Sequence, residues 1–246
     1  MLLAEGRFLL ERAAFRRIRS SLATLPRGDG HPVLVFPGFC ASDHSTASLR
    51  AVLGDLGYQT HGWGLGRNLR VDLERVEQMQ RIVQDLAQRA GRKVSLIGWS
   101  LGGIFARELA KLDPDAVRQV ITLGSPIRDD RRHTNATRLF ELVNGKEPEV
   151  LGQGRFSGLD RAPPVPTTAI LSRSDGIVHP NGSIQHAASG HERTENIVVR
   201  GSHLGLVHNP AATIAIADRL CQPDGHWQPF VPPPSHRRMF PPQELP

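Results

Sequence analysis

The sequence predicts an α/β protein with a mostly parallel central sheet of about six strands and helices on both faces. From residue 33 onward, short apolar runs alternate with segments of helical composition, which is the order that builds a parallel sheet. The chain has 246 residues, 39% of them hydrophobic, and this is enough to bury one sizeable core. We therefore expect one main domain, over residues 31–221.

The predicted strands are short apolar runs bounded by turn residues. They cover residues 33–36, 58–63, 94–98, 117–123, 168–172 and 197–200. The predicted helices cover residues 43–56, 71–90, 101–112 and 210–221. Ligands of such sheets bind at the carboxyl ends of the strands, so the residues just after each strand are the candidates for a functional site.

Residues 1–30 predict an amphipathic helix followed by a linker. Four apolar residues recur there at helical spacing: Phe8, Phe15, Ile18 and Leu22. The helix either packs on its own domain or makes weak peripheral contact with a membrane surface. The sequence has no run of 18 apolar residues and no uninterrupted signal-like segment, so we expect a cytoplasmic protein.

Two further segments depart from the alternating pattern. Residues 127–166 are too long and too polar for a simple connection after the fourth strand, and we expect a lid-like insertion above the sheet. Residues 222–246 are rich in proline and predict an extended or disordered tail.

Composition argues against several other classes of function. The net charge is +6, but the basic residues are almost all arginines scattered along the chain, which argues against a specific nucleic-acid surface. Cys40 and Cys221 are too few and too far apart for a disulfide framework or a metal site, so we expect two unpaired buried thiols. The histidines show no metal-ligand spacing, and no metal is predicted.

The stretch Gly98-Trp99-Ser100-Leu101-Gly102 lies where the third predicted strand passes into a helix. In that context the G-x-S-x-G pattern predicts a sharp turn that exposes the serine hydroxyl. Its glycines let the backbone pack closely around the turn. Ser100 is therefore a candidate nucleophile, although the pattern alone also fits a serine in a tight turn.

Three complementary side chains follow three different strands. Ser100 follows the third strand, Asp175 the fifth and His203 the sixth. A serine needs an imidazole to accept its proton, and a carboxylate holds that imidazole in one tautomer and stabilises its positive charge. This order predicts Ser100 as nucleophile, His203 as general base and Asp175 as the orienting acid.

Other acids and imidazoles compete for these roles. Asp129 and Asp130 follow the fourth strand, but they lie in a run of opposite charges that favours a solvated turn. His208 precedes Asn-Pro, which is better explained as the entry to a helix. His179 lies in the same loop as Asp175 and is a candidate to line the pocket.

In these motifs the chain resembles the α/β-hydrolase fold family, and more narrowly the small bacterial serine esterases and lipases. The resemblance covers about residues 31–221. It departs at Pro37-Gly38, where many relatives have His-Gly, and two leading strands are missing or replaced by the N-terminal helix. The resemblance implies an oxyanion hole made by the backbone N–H groups of Phe39 and Leu101.

The sequence therefore predicts a serine ester hydrolase that acts on a small-molecule ester through an acyl-enzyme, without a cofactor. Trp99, Leu139 and Phe140 are candidates for an apolar acyl pocket, and the last two equally fit packing of the insertion onto the domain. Acyl transfer to another acceptor and perhydrolysis use the same triad. A non-catalytic ligand-binding domain is the alternative from another class, and the intact triad argues against it.

Overall fold

The computed structural model describes residues 2–22, 25–128, 158–186 and 192–245. In this part of the chain six strands form one sheet, parallel throughout, in the order β2-β1-β3-β4-β5-β6. The strands are β1 Pro32–Phe36, β2 Gln59–Gly62, β3 Val94–Trp99, β4 Val117–Leu123, β5 Thr167–Ser172 and β6 Thr194–Val199. The α-helices described are α1 Phe8–Leu22, α2 Asp43–Asp55, α3 Leu73–Ala90, α4 Leu101–Leu112 and α5 Pro210–Cys221. The predicted fold class is confirmed.

Both faces of the sheet are covered, which explains why its strands are apolar on both sides. Alternate residues of a strand point to opposite faces, so Val33 and Val35 of β1 pack with α2 and α5. Leu34 and Phe36 of the same strand pack with α3 and α4. The result is a three-layer arrangement in which the carboxyl ends of all six strands meet at one edge.

The N-terminal helix packs on the domain. Phe15 of α1 is buried in the core cluster that α2 and α5 share. The rings of Phe8 and Phe15 each meet the ring of His208 edge to face, with centroids 5.6 and 5.9 Å apart. The side chains of Ile18 and Leu22 lie outside the described part. Within that part, no helix is both long and apolar enough to cross a membrane.

The Pro-rich segment runs beside β6, the strand at one edge of the sheet. The Gln243 side chain accepts a hydrogen bond from Val198 N at 2.9 Å and donates one to Val198 O at 3.1 Å. The rings of Phe230 and Phe240 lie 5.1 Å apart, and both residues pack against the core. In its described portion the segment is thus extended, with one short 3-10 helix at Pro234–Met239.

The structure also bears on the predictions for the cysteines and for the insertion. Both cysteines are unpaired, but Cys40 is exposed and Cys221 half-buried, so the prediction of buried thiols is wrong. Cys40 is exposed because it follows β1 in a loop at the sheet edge. Most of the predicted insertion, including Asp129, Asp130, Leu139 and Phe140, lies outside the described residues.

Candidate active site

Ser100 is the single residue between the end of β3 and the start of α4. Its backbone has φ 54° and ψ −123°, a conformation that residues with a side chain rarely adopt. Its amide donates to Leu123 O at 2.9 Å, which fixes the turn to the neighbouring strand β4. A non-glycine residue held in this way costs about 1–3 kcal/mol and is typical of functional turns.

The glycines around Ser100 are required by close backbone contacts. A Cβ atom on Gly98 would overlap the backbone of Gly102, and one on Gly102 would lie 2.5 Å from Phe36 O. A Cβ on Gly38 would lie 3.1 Å from the Trp99 ring and 3.2 Å from Ser100 Cβ. The loop after β1, the Ser100 turn and the first turn of α4 are therefore in direct contact.

Asp175 and His203 form a buried pair. His203 Nδ1 and Asp175 Oδ2 are 2.7 Å apart, and each residue is 2% exposed. The other oxygen of Asp175, Oδ1, accepts from Ile177 N at 2.8 Å and Val178 N at 2.7 Å. Backbone donors thus hold the carboxylate so that its second oxygen faces the imidazole, which favours the Nδ1–H tautomer.

Gly124 connects this pair to the Ser100 turn. It directly follows Leu123, whose carbonyl accepts from Ser100 N. A Cβ on Gly124 would lie 2.9 Å from Asp175 Oδ2 and 3.2 Å from His203 Nδ1. The end of β4 therefore contacts both the Ser100 turn and the Asp175–His203 pair at the carboxyl edge of the sheet.

Trp99 supports the histidine loop. Its Nε1 donates to His203 O at 3.1 Å, and the two rings are 5.8 Å apart. With only 6% of its surface exposed, Trp99 has little area left for a ligand in this conformation. Its predicted role in an acyl pocket stays a prediction.

The two predicted oxyanion donors belong to segments next to Ser100: the first turn of α4 and the loop after β1. Phe39 follows Gly38 in the loop that contacts Ser100, and its half-buried side chain packs against the α3 and α4 side of the core. Leu101 is the first residue of α4, so its amide has no acceptor within the helix. The assignment of these two amides to an oxyanion hole stays a prediction.

The competing histidines have other surroundings. Asn209 caps α5, its Oδ1 accepting from Ala212 N at 3.1 Å, with Pro210 as the first helical residue, as expected for a helix entry after His208. Burial first, and then the charges of Arg12 and Arg16, lower the pKa of His208 to about 4. His179 is exposed, and its Nδ1 accepts from Asn181 N at 3.3 Å.

Sequence reasoning missed a second serine, histidine and aspartate set at the opposite edge of the sheet. His31 Nδ1 lies 2.5 Å from Asp29 Oδ1, and His31 Nε2 lies 2.8 Å from Ser95 Oγ. His31 and Ser95 have no exposed surface. No motif surrounds them in the sequence, so only the fold reveals the contact.

Comparisons with known proteins agree with this architecture. A family model described as the PGAP1-like α/β domain matches residues 61–149, a stretch that includes Ser100. A search of curated protein sequences gives no significant match.

Solved structures resemble the chain over most of its length. Paleococcus ferrophilus monoacylglycerol lipase is 16% identical with a TM-score of 0.57, over 80% of this chain and 96% of that one. Bacillus licheniformis lipase BlEst2 is 14% identical with a TM-score of 0.58, over 81% of this chain and 95% of that one. Aspergillus fumigatus lipase B is 21% identical with a TM-score of 0.61, over 90% of this chain but 60% of that one.

These similarities, together with the all-parallel sheet, show that the chain has the α/β-hydrolase fold. At such low identity the likeness establishes the fold, and the chemistry of the site must be argued from its own residues.

Proposed function

We propose that the protein is a serine hydrolase that cleaves carboxylic esters through an acyl-enzyme. The observation that carries this proposal is the strained backbone of Ser100, at φ 54°, beside the buried Asp175–His203 pair. A structural serine has no need of such a conformation, whereas a nucleophile at the tip of a strand-to-helix turn does.

The proposed reaction has two halves. Ser100 Oγ attacks the ester carbonyl carbon while His203 Nε2 takes its proton, and the oxyanion is stabilised by the amides of Phe39 and Leu101. The alcohol then leaves with the proton from His203. In the second half a water molecule, deprotonated by His203, attacks the acyl-enzyme and releases the carboxylic acid and Ser100. Asp175 stabilises the imidazolium in both halves.

The proposed substrate is a small ester with an apolar acyl chain. Support comes from Phe39, an apolar residue in the loop that contacts the Ser100 turn, because its half-buried side chain keeps some apolar surface accessible. Leu139 and Phe140 are also part of this proposal, because the sequence gives the predicted insertion an apolar stripe there. Acyl transfer to an acceptor other than water is the runner-up, because it uses the same triad, and the cytoplasmic location stays a prediction.

A fluorophosphonate probe tests the proposal without knowledge of the substrate. We expect the full chain to be labelled and mass spectrometry to place the adduct on Ser100, with labelling lost in Ser100→Ala. The matched control is Ser95→Ala, which removes the buried serine of the second set and should leave labelling intact. Properly folded protein that is not labelled, or is labelled elsewhere, would sink the hydrolase proposal.

A further inference from the structure

A carboxylate from the N-terminal segment lies between the two loops that carry Asp175 and His203. Glu5, in the short 3-10 helix Leu2–Arg7 that precedes α1, is 8% exposed. Its Oε1 accepts from Gly176 N at 2.9 Å and from His203 N at 3.0 Å, and its Oε2 accepts from Leu204 N at 3.0 Å. One side chain therefore bonds to the residue after Asp175, to His203 itself and to the residue after His203.

Glu11, in the first turn of α1, extends this contact by one residue. Its Oε1 accepts from Ser202 N at 2.9 Å, and its Oε2 accepts from Ser202 Oγ. A Cβ on Gly205 would overlap the same carboxylate. Three consecutive backbone amides, those of residues 202–204, thus donate to carboxylates of the N-terminal segment.

These contacts determine the position of the His203 backbone. Its N–H donates to Glu5, and its carbonyl accepts from Trp99 Nε1 at 3.1 Å. A buried amide needs an acceptor, and a carboxylate accepts several short hydrogen bonds that are stronger than those between neutral groups. Without Glu5, three amides of two irregular loops lose their acceptor together.

We propose that Glu5 is a positioning residue: it holds the His203 loop in register with the Asp175 loop, while Glu11 holds the preceding residue. The inference rests on the proposed function, because it gives the triad a supporting group from outside residues 31–221. Glu5 acts through the backbone of His203 and is not itself a catalytic residue. The N-terminal segment is on this account part of the active-site architecture.

The test compares Glu5→Gln and Glu5→Ala with two controls in the full chain. Glu77→Gln removes an exposed carboxylate of α3 that pairs loosely with Arg81, at 3.9 Å. Val83→Ala shortens a buried side chain of α3 and serves as a control for lost stability alone. Circular dichroism and thermal unfolding confirm that each variant is folded.

We expect Glu5→Ala to lower kcat for a p-nitrophenyl ester, and the rate of fluorophosphonate labelling, by on the order of 100-fold, the size of effect that small misplacements of reacting groups produce. KM should change little, because Glu5 does not reach the substrate. Glu5→Gln should fall between wild type and Glu5→Ala, because it keeps one acceptor oxygen but turns an NH2 group toward an amide donor. It also keeps the test open if Glu5→Ala does not fold.

Proton NMR distinguishes positioning of His203 from a general effect on stability. The downfield signal of the His203 Nδ1–H proton reports its hydrogen bond to Asp175, and we expect it to shift or broaden in Glu5→Ala but not in Val83→Ala. Folded Glu5 variants with wild-type kcat, labelling rate and proton signal would overturn the inference while the hydrolase proposal stands. If wild type is not labelled at Ser100, the hydrolase proposal fails, and the proton signal still decides whether Glu5 positions His203.

Discussion

Asp29, His31 and Ser95 repeat, at the amino edge of the sheet, the residue types found at its carboxyl edge. His31 is within hydrogen-bond distance of both Asp29 and Ser95. Burial lowers the pKa of His31 in spite of the adjacent carboxylate. The pKa of Asp29 is held well below its usual value because hydrogen bonds with Arg118 and His31 outweigh the opposing effect of burial. Ser95 has no exposed surface, so a substrate cannot reach its hydroxyl group and this set of residues cannot act as a catalytic triad.

Asp175 and Asp29 each accept a hydrogen bond from a histidine, so the same substitution can be compared at both positions. Asp175→Asn should lower turnover by a factor on the order of 10⁴, because the amide no longer fixes the tautomer of His203. Asp29→Asn should leave turnover near wild type and lower the midpoint of urea unfolding, since Arg92 and Arg118 lose their common partner. Steady-state kinetics and unfolding curves of both variants check this. If Asp175→Asn were as active as wild type, the acid would have to be sought at Asp129 or Asp130.

The turn at Ser100 stores strain that can be measured. Glycine adopts positive φ without a steric penalty, so Ser100→Gly should be more stable to unfolding than Ser100→Ala by about 1 kcal/mol. Both variants should be inactive. Denaturant titration of the two proteins measures the difference, and equal stabilities would show that the turn is not strained.

At the scale of elements, local patterns predicted the strands and helices well. Helix α3 illustrates the reason: Asp72 caps it by accepting from Arg75 N, and it ends at Gly91 with φ 59°. Helix caps and alternating apolar residues are encoded within a few neighbouring positions. The predicted end of the third strand differs from the observed one by a single residue, so the position of Ser100 at the sheet edge followed directly.

The contacts of Glu5 were not predictable in this way. Its partners lie 171 to 199 positions away along the chain, and a charged residue near an amphipathic helix is ordinarily interpreted as solvent-exposed. The same holds for Gln243, which pairs with Val198 through a side chain rather than through a regular strand. Long-range polar contacts leave no local pattern in one sequence, whereas buried apolar faces do.

Helix α1 packs against the domain through a histidine that resists protonation. His208 has an ordinary pKa of 6.5 when unfolded and about 4 when folded, so its neutral form contributes stability in full above pH 6.5. This contribution, up to about 3 kcal/mol, is lost as the pH falls from 6.5 to 4. We expect His208→Leu to flatten the dependence of unfolding free energy on pH across that interval. Urea titrations at pH 4.5 and 7.5 test this, and an unchanged pH dependence would contradict it.

At the scale of the whole molecule, the outer face of α1 combines apolar groups with positive charge. Leu9 and Leu10 are 69% and 72% exposed, and Arg12 and Arg16 of the same helix are also exposed. We expect sedimentation with vesicles of anionic lipid to decrease at least about tenfold in a Leu9→Ser, Leu10→Ser double variant, because insertion of each leucine into the lipid contributes up to about 1.5–3 kcal/mol. Leu112→Ser, which changes an exposed leucine on α4, is the control. Equal sedimentation of all three proteins would contradict membrane contact through α1.

The preference for acyl-chain length also belongs to the scale of the whole molecule, because the proposed acyl pocket combines residues at the sheet edge with residues of the predicted insertion. Each buried methylene contributes up to about 0.8 kcal/mol, so kcat/KM for p-nitrophenyl esters should rise gradually from acetate toward longer chains. The double variant Leu139→Ala, Phe140→Ala should flatten this gradient. An optimum at acetate, or a gradient unchanged by the double variant, would mean that the insertion does not build the acyl pocket.

The pairing of Gln243 with Val198 has a consequence for association between chains. A sheet that ends in an open strand offers unpaired amides and carbonyls on which another polypeptide can add a strand. At β6 the side-chain amide of Gln243 already occupies the N–H and the carbonyl of Val198. The opposite edge, β2, is four residues long and polar. Both edge strands therefore disfavour the addition of a strand from another chain, which can lead to aggregation: β6 because Gln243 covers it, and β2 because it is short.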